Sequence, residues 1–363
     1  MGGICFFNTA IAWGGGEKWH FEVSAYLHAK GYKVWVVAHS KSELLRRLKA
    51  SNIPCVGINI SNTSFLNPLQ HGRLRQLLSK EKLDSIVLNL SRDVKIAGSC
   101  AKAVGIKRII YRRGSAIPIA NTFLNRYYFR SVITDVLANS EATKKTVLQN
   151  NPRLFPEKRI KVIHNGIALD KVIQTSTLIS KTTPKETRFV IASLGRLEAQ
   201  KNQKFLIYMA KELVKRKLNF SLVIGGEGRL RRDLEALIAN LKLTKYVFLK
   251  GFIEKPLDFI AQADIFVLPS LWEGFGYVLA EAALCKKPIV AFDLSSNPEL
   301  VIHQKTGYLI QENALDAFAD AVEDCYQNPE KAKSLGAAGF AHITENFDKE
   351  KKLLEIEDYL MNG

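Results

Sequence analysis

Short β-rich apolar runs alternate with amphipathic stretches along the whole of this chain. GICFFNTAIA, KVWVVA, DSIVLNL, KRIIYR and DVLANS read as strands in the first half, and RFVIASLG, FSLVIGGEG, YVFLKGF, DIFVLPS and PIVAFD in the second. Helical patterns lie between them. In EKWHFEVSAYLHAKG, Trp19, Val23, Tyr26 and Leu27 recur at helical spacing and Gly31 closes the element. Strands alternating with helices build parallel sheets from right-handed βαβ units. The pattern runs through twice, with a polar stretch from about Ile167 to Thr187 between the two passes. The expected architecture is therefore α/β, with two Rossmann-like domains facing a cleft. Residues 1–168 form the first domain, 169–187 a linker and 188–345 the second domain. A closing amphipathic helix over 346–363 carries Leu353, Leu354, Ile356 and Leu360. In such open sheets ligands bind at the carboxyl ends of strands, so candidate chemistry is sought there.

Composition adds bounds. A chain of 363 residues can bury two sizeable cores, and 47% apolar with 24% charged residues is ordinary for a globular protein. No apolar run approaches the roughly 18 residues needed to cross a bilayer. The opening residues lack the basic region and small-residue cleavage site of a signal peptide, which points to a cytoplasmic protein. The cysteines, Cys5, Cys55, Cys100, Cys285 and Cys325, form no C-x-x-C pair and read as buried free thiols. The net charge of +17 is unevenly spread. Residues 1–170 hold 26 Lys and Arg against 10 Asp and Glu, whereas the remainder holds 26 against 25. Such asymmetry calls for a polyanionic partner on the first half, either nucleic acid or an anionic membrane surface.

Three loops at strand ends carry the candidate chemistry. In PSLWEGFGYVLAEAAL (269–284) a strand ends at Leu268, a turn carries Glu273, Gly274, Phe275 and Gly276, and a helix begins near Tyr277. Backbone N–H groups at a glycine-rich turn entering a helix attract anions. Glu273 and Glu281 stand eight apart, the span of about two helical turns, so both could address one ligand along the helix start. A carboxylate accepts two hydrogen bonds at once and suits paired sugar hydroxyls. GRLEAQKN (195–202) places Arg196 and Lys201 where two cations could neutralise a diphosphate as it leaves. GGEG (225–228), with Gly226 and Glu227, ends a third strand, where glycines permit close approach to a base or ribose. In the first half, GGGEKWH (14–20) sets Gly15, Gly16 and Glu17 between a strand and a helix N-terminus. Its spacing is not G-x-G-x-x-G, which argues against a dinucleotide cofactor.

Together these motifs, with NSEATKKTV (139–147) and VIHNGIAL (162–169), resemble the retaining GT-B glycosyltransferases of family 4 (glycosyltransferase group 1). Lipopolysaccharide-core and lipid-linked saccharide transferases are the members most similar. The resemblance implies that Arg196 and Lys201 hold the donor diphosphate, Glu281 the ribose hydroxyls and Glu273 those of the transferred sugar. It places the backbone at Gly274, Phe275 and Gly276 against sugar and phosphate, and the loop at Gly15 and Gly16 against donor phosphate and acceptor. It also implies a hexosyl transfer with retention, by same-face attack, and a last helix that crosses back onto the first domain. The departure lies after RIIYRRGS. Many members carry a histidine there, whereas this chain has Arg112 and Arg113, which could meet the phosphate, the sugar or an anionic acceptor, or could be surface cations. Neither His20 nor His164 stands at the matching position.

The chain has no Asp-x-Asp pair to clamp a divalent ion on the diphosphate, so no metal or other cofactor is expected and the nucleotide sugar is a substrate. NTFLNRYYFRSV (121–132) sets Phe123, Leu124, Tyr127, Tyr128 and Phe129 beside Arg126 and Arg130. That composition suits an anionic bilayer surface or, equally, a helix packed in the first domain. With the basic first half, it points to a peripheral enzyme on the inner face of the cytoplasmic membrane with a saccharide or lipid-linked acceptor. Two other classes compete. A nucleotide-sugar epimerase of GT-B fold would need acid/base carboxylates at the sugar. A nucleic-acid-binding protein has only charge in its favour and no recognition motif, so nucleic acid is not expected as a partner.

Overall fold

The computed structural model describes residues 2–169 and 188–362. The expected linker therefore lies, apart from Leu169, outside the described residues. Two compact units are present, one formed by Met1–Asn165 with Lys352–Gly363 and the other by Gly166–Lys351.

The first unit is built on seven parallel strands: β1 (Gly3–Asn8), β2 (Val34–His39), β3 (Cys55–Ile58), β4 (Leu83–Leu88), β5 (Arg108–Arg113), β6 (Asp135–Ala138) and β7 (Ile160–Val162). Their order is β3-β2-β1-β4-β5-β6-β7, so the direction of winding reverses between β1 and β4. Side chains alternate across this sheet. Phe6 packs on one face with Trp19, Leu27 and Val36, while its neighbour Phe7 packs on the other with Leu88 and Tyr111. Both faces are covered, which explains why the strands read as unbroken apolar runs.

The closing helix spans Lys349–Asn362, three residues shorter at its start than expected, because Asn346 ends the preceding helix, Pro329–Asn346. Leu353, Ile356 and Leu360 bury against the Phe6 face. Leu354 is exposed, contrary to expectation, since it sits one position off that i, i+3, i+7 stripe. Tyr26, Tyr32 and Lys30 all donate to the Glu357 carboxylate at 2.6–2.9 Å, and Arg108 Nη1 donates to the carbonyls of Tyr359 and Leu360 near the helix end.

The second unit carries six parallel strands: β8 (Phe189–Leu194), β9 (Phe220–Gly225), β10 (Val247–Gly251), β11 (Ile265–Leu268), β12 (Ile289–Phe292) and β13 (Tyr308–Ile310). The order β10-β9-β8-β11-β12-β13 again reverses at one place, between β8 and β11, where Ile191 and Ala192 pair with Ile265 and Phe266. In both units the reversal opens a crevice at the strand carboxyl ends, where ligands bind in open sheets of this kind. All the cysteines are free; Cys5, Cys100 and Cys325 are buried, and Cys55 and Cys285 are half-buried.

Candidate active site

In the second unit, the loops leaving β8 and β11 are stitched together. Gln200 Nε2 donates to the Trp272 carbonyl at 2.7 Å, and Leu271 N to the Gln200 carbonyl at 2.9 Å. This brings Lys201 Nζ to 2.5 Å from Glu273 Oε1. The stem of Lys201 lies over Gly195, where a Cβ would sit 3.0 Å from its Cδ and Cε. Glu273 is buried, and its backbone is pinned from β12's loop. Ser295 Oγ accepts from Glu273 N at 3.2 Å and donates to its carbonyl at 2.7 Å, and Ser296 Oγ donates to the same carbonyl at 3.3 Å. Ser295 takes a left-handed φ of +56° to do so. These serines and Gln200 escaped the sequence reading, because the spacing within one motif says nothing of which loop will support another. Arg196 stays exposed beside this pair, its carbonyl accepting from Gln203 Nε2 at 2.8 Å.

The helix Tyr277–Leu284 begins after Gly276, whose φ of +86° and lack of a side-chain cap leave the helix start to backbone alone. Phe275 is buried against Tyr277 and Phe347. One expectation needs correction. The eight residues from Glu273 to Glu281 are not two helical turns, because Glu273 is separated from the helix by Gly274, Phe275 and Gly276 and only Glu281 is helical. The glycines of GGEG also meet a neighbouring loop of the protein itself. A Cβ at Gly226 would collide with the Gly195 carbonyl, and one at Gly228 with that of Leu197. These glycines are required by the close approach of the neighbouring loop, which Leu197 N secures by donating to the Glu227 carbonyl at 2.9 Å. Glu227 itself is exposed and pairs with Arg231 at 2.7 Å.

In the first unit the crevice between β1 and β4 receives the helix Gly15–Ala29. Glu17 points inward, its Oε1 accepting from Asn8 Nδ2 at 3.2 Å and Asn89 Nδ2 at 3.3 Å. Gly16 packs so closely that a Cβ would sit 3.0 Å from Asn89 Nδ2 and 3.5 Å from Arg112 Nη1. Arg112 is no surface cation: it is 2% exposed. Its guanidinium lies 4.8 Å from the Trp19 ring centroid and donates to Asn165 Oδ1 at 3.2 Å and Asn89 Oδ1 at 3.4 Å. Burial, and then the charge of Arg112, hold the fully buried His20 well below the usual histidine range, so that ring is neutral. Arg113 faces the opposite side of β5, where it donates to the carbonyls of Ser115 at 3.2 Å and Ile117 at 2.6 Å and to the Tyr111 hydroxyl at 3.3 Å. The two arginines, adjacent in sequence, thus lie on opposite faces of the sheet with different partners.

Comparison with known proteins fits this geometry. The family model described as Glycosyltransferase Family 4 matches residues 13–171, and that described as Glycosyl transferases group 1 matches residues 174–342. The chain is a group 1 glycosyltransferase of GT-B fold. This glycosyltransferase is 27% identical over 290 residues to the UDP-Gal:alpha-D-GlcNAc-diphosphoundecaprenol alpha-1,3-galactosyltransferase of Escherichia coli, covering 76% of this chain and 74% of that protein. It is 25% identical over 298 residues to the GDP-mannose-dependent alpha-(1-6)-phosphatidylinositol monomannoside mannosyltransferase of Mycolicibacterium smegmatis, covering 77% of each. Anabaena HepE, solved in complex with UDP, shares the fold with a TM-score of 0.86 at 20% identity, covering 99% of this chain and 100% of that one.

Proposed function

We propose that this glycosyltransferase moves a sugar from a UDP- or GDP-sugar to a saccharide acceptor, lipid-linked or of the lipopolysaccharide-core kind, with retention and without a metal ion. The observation that carries the reading is the buried Lys201–Glu273 pair at the β8/β11 reversal. A buried ion pair adds little stability over apolar residues of the same volume, so its presence at a ligand crevice is best accounted for by what it binds. Lys201, with exposed Arg196, supplies cations to the donor diphosphate, and Glu273 supplies an acceptor to the sugar hydroxyls. Glu281 serves the ribose, and the backbone of Gly274–Gly276 with the uncapped helix start serves the phosphate. Gly226 and Glu227 border this donor site.

In the transfer, the bond from the anomeric carbon to the donor phosphate oxygen breaks as the bond to the acceptor oxygen forms on the same face. The acceptor proton passes to the departing phosphate, whose growing charge Arg196 and Lys201 stabilise. The absence of any Asp-x-Asp pair supports metal independence.

Both relatives named above carry a lipid in the name of their acceptor, which supports a lipid-linked acceptor here. The basic first unit and the helix Phe123–Ser131, with Phe123, Leu124 and Tyr127 exposed, support peripheral attachment to the inner face of the cytoplasmic membrane. Among the described residues, no helix is long and apolar enough to cross a membrane.

The test is hydrolysis of a panel of UDP- and GDP-sugars in the absence of acceptor. Slow turnover of one donor, lost in Lys201→Ala, is expected. Consumption of none, or full activity in Lys201→Ala, would overturn the donor site.

A further inference from the structure

The helix Phe123–Ser131 runs back from the carboxyl edge of the first unit's sheet, where β5 ends, towards the amino edge, where β6 begins. Phe123, Tyr127 and Arg130 follow one another at i, i+4 and i+7, so they share one side of the helix, and all three are exposed. Two rings thus lead along a single stripe to a cation at the amino edge.

At that edge Arg130 meets a second stretch of chain, 152–159, which precedes β7. Between them lies a recess of about 460 Å³. Its floor includes Phe129 and Phe155, core side chains whose rings meet edge to face at 6.0 Å. Its rim carries three arginines, Arg130, Arg153 and Arg159. Arg130 Nη2 donates to the Arg153 carbonyl at 3.3 Å, which fastens the helix end to the stretch beside it. Arg153 and Arg159 are exposed, and their side chains make no hydrogen bond or ion pair among the described residues. Glu157 is the one carboxylate among the lining residues, and Lys144 already pairs with it at 3.1 Å.

Three cations around one concavity, beside a single carboxylate that has its own partner, hold a positive field that low-dielectric walls concentrate. Guanidinium forks match the oxygens of a phosphate. The rings of the same stripe suit the apolar part of the molecule that carries it, and a phospholipid has both. An acidic protein surface would leave Phe123 and Tyr127 without a role.

We propose that this recess holds the phosphate headgroup of an anionic glycerophospholipid, with Arg130, Arg153 and Arg159 as its counter-charges and the Phe123 and Tyr127 rings in the adjoining headgroup layer. The inference rests on the reading that the first unit attaches to a membrane, and gives that attachment a structured site. The recess lies at the opposite edge of the sheet from the glycine-rich loop and Arg112, so it anchors the enzyme and takes no part in the transfer.

The experiment is co-sedimentation of the full-length protein with phosphatidylcholine vesicles containing phosphatidylglycerol, at low salt. Arg153→Ser with Arg159→Ser is compared with Lys41→Ser with Lys49→Ser. The second pair removes the same charge from exposed positions around the helix Glu43–Ala50, on the other face of the sheet. Loss of the arginines should weaken binding about thirtyfold, the attraction of two basic groups to an anionic surface, and loss of the lysines should leave it unchanged. Water-soluble dihexanoylphosphatidylglycerol, titrated calorimetrically below its micellar concentration, should bind the wild type and the lysine variant but not the arginine variant. Equal weakening by the two variants, or no binding of the soluble lipid to the wild type, would reduce the attachment to diffuse charge and overturn the site. Vesicle binding that the arginine variant fully keeps would also overturn it, with the membrane reading intact; if that variant instead loses a single-stranded oligonucleotide, the arginines serve nucleic acid. Wild-type protein that ignores acidic vesicles would end the membrane reading, and this site with it.

Discussion

Lys201 Nζ sits 2.5 Å from Glu273 Oε1, with side chains only 14% and 10% exposed, at the one place in its sheet where the winding reverses. Two opposite charges removed from water neutralise each other, and either one alone is costly. Lys201→Met should therefore destabilise the second unit by about 3 kcal/mol, because Glu273 is left buried and uncompensated. Adding Glu273→Gln should restore most of that loss while leaving sugar-nucleotide turnover absent. Thermal unfolding of the single and double variants, beside hydrolysis rates, checks both halves. Recovery of turnover in the double variant would make the pair a structural one.

Arg112 gives the second prediction. It is packed on Trp19 and tied to Asn89 and Asn165, a planar cation in a fitted slot. Gly114 leaves room for it, since a Cβ there would collide with its Nη1. Lysine keeps the charge but cannot stack or reach both amides. Arg112→Lys should lower transfer to acceptor by about tenfold to a hundredfold, the range of one or two lost charge-assisted contacts, with donor hydrolysis less affected. Comparison of kcat/KM for the two reactions measures it, and equal loss in both would place Arg112 with the donor.

The sheets and the donor loops were legible in the sequence because the central strands are buried on both faces and each loop carries glycine or charge at a strand end. PSLWEGFGYVLAEAAL folds as read, with β11 ending at Leu268 and the helix starting at Tyr277. Three strands were missed. β3, β7 and β13 are four residues or shorter and lie at sheet edges or next to them, where partial exposure erases the apolar run. Arg112 and Arg113 could not be separated by sequence alone. Period-two alternation sends neighbours to opposite faces, but which face meets the glycine-rich loop depends on Trp19 and Asn165, remote in the chain. The role of the glycines at 226 and 228 was hidden for the same reason, since the backbone that they accommodate belongs to another loop.

The helix Phe123–Ser131 answers to both of its expected roles. Tyr128 and Phe129 are buried in the first unit's core, and Phe123 and Tyr127 project into solvent at 75% and 48% exposure, beside half-buried Arg126 and exposed Arg130. Exposed rings next to cations suit an anionic interface. Phe123→Ser with Tyr127→Ser removes two exposed side chains, each worth ~1.5–3 kcal/mol on burial, and leaves buried Tyr128 and Phe129 in place. Wild-type protein should sediment with phosphatidylglycerol vesicles at low salt and much less with phosphatidylcholine. The double variant should remain largely in the supernatant, and added salt should release both. Unchanged sedimentation of the variant would exclude this helix as the contact.

Asp93 supplies a pH dependence with a definite sign. It is fully buried just ahead of the widened π-type turn Val94–Gly98, where it accepts from the Thr9 and Leu90 backbone N–H groups and from the Thr9 hydroxyl. Burial raises its pKa from 3.8 to about 7, opposed by those hydrogen bonds and by the charge of Arg92. The folded protein then keeps a proton that the unfolded chain has already released. Stability must fall as pH rises from about 4 to about 7 and level off above, by about 4 kcal/mol in all. Asparagine can keep the two backbone bonds through its carbonyl and donate to the Thr9 hydroxyl through its amide, with no proton to lose. Asp93→Asn should therefore gain on the wild type steadily across that window. Urea midpoints of both proteins at pH 5 and pH 8 measure the difference. Parallel behaviour of the two would mean that Asp93 is ionised in the folded state, held by Thr9, Leu90 and Arg92 strongly enough to overcome its burial.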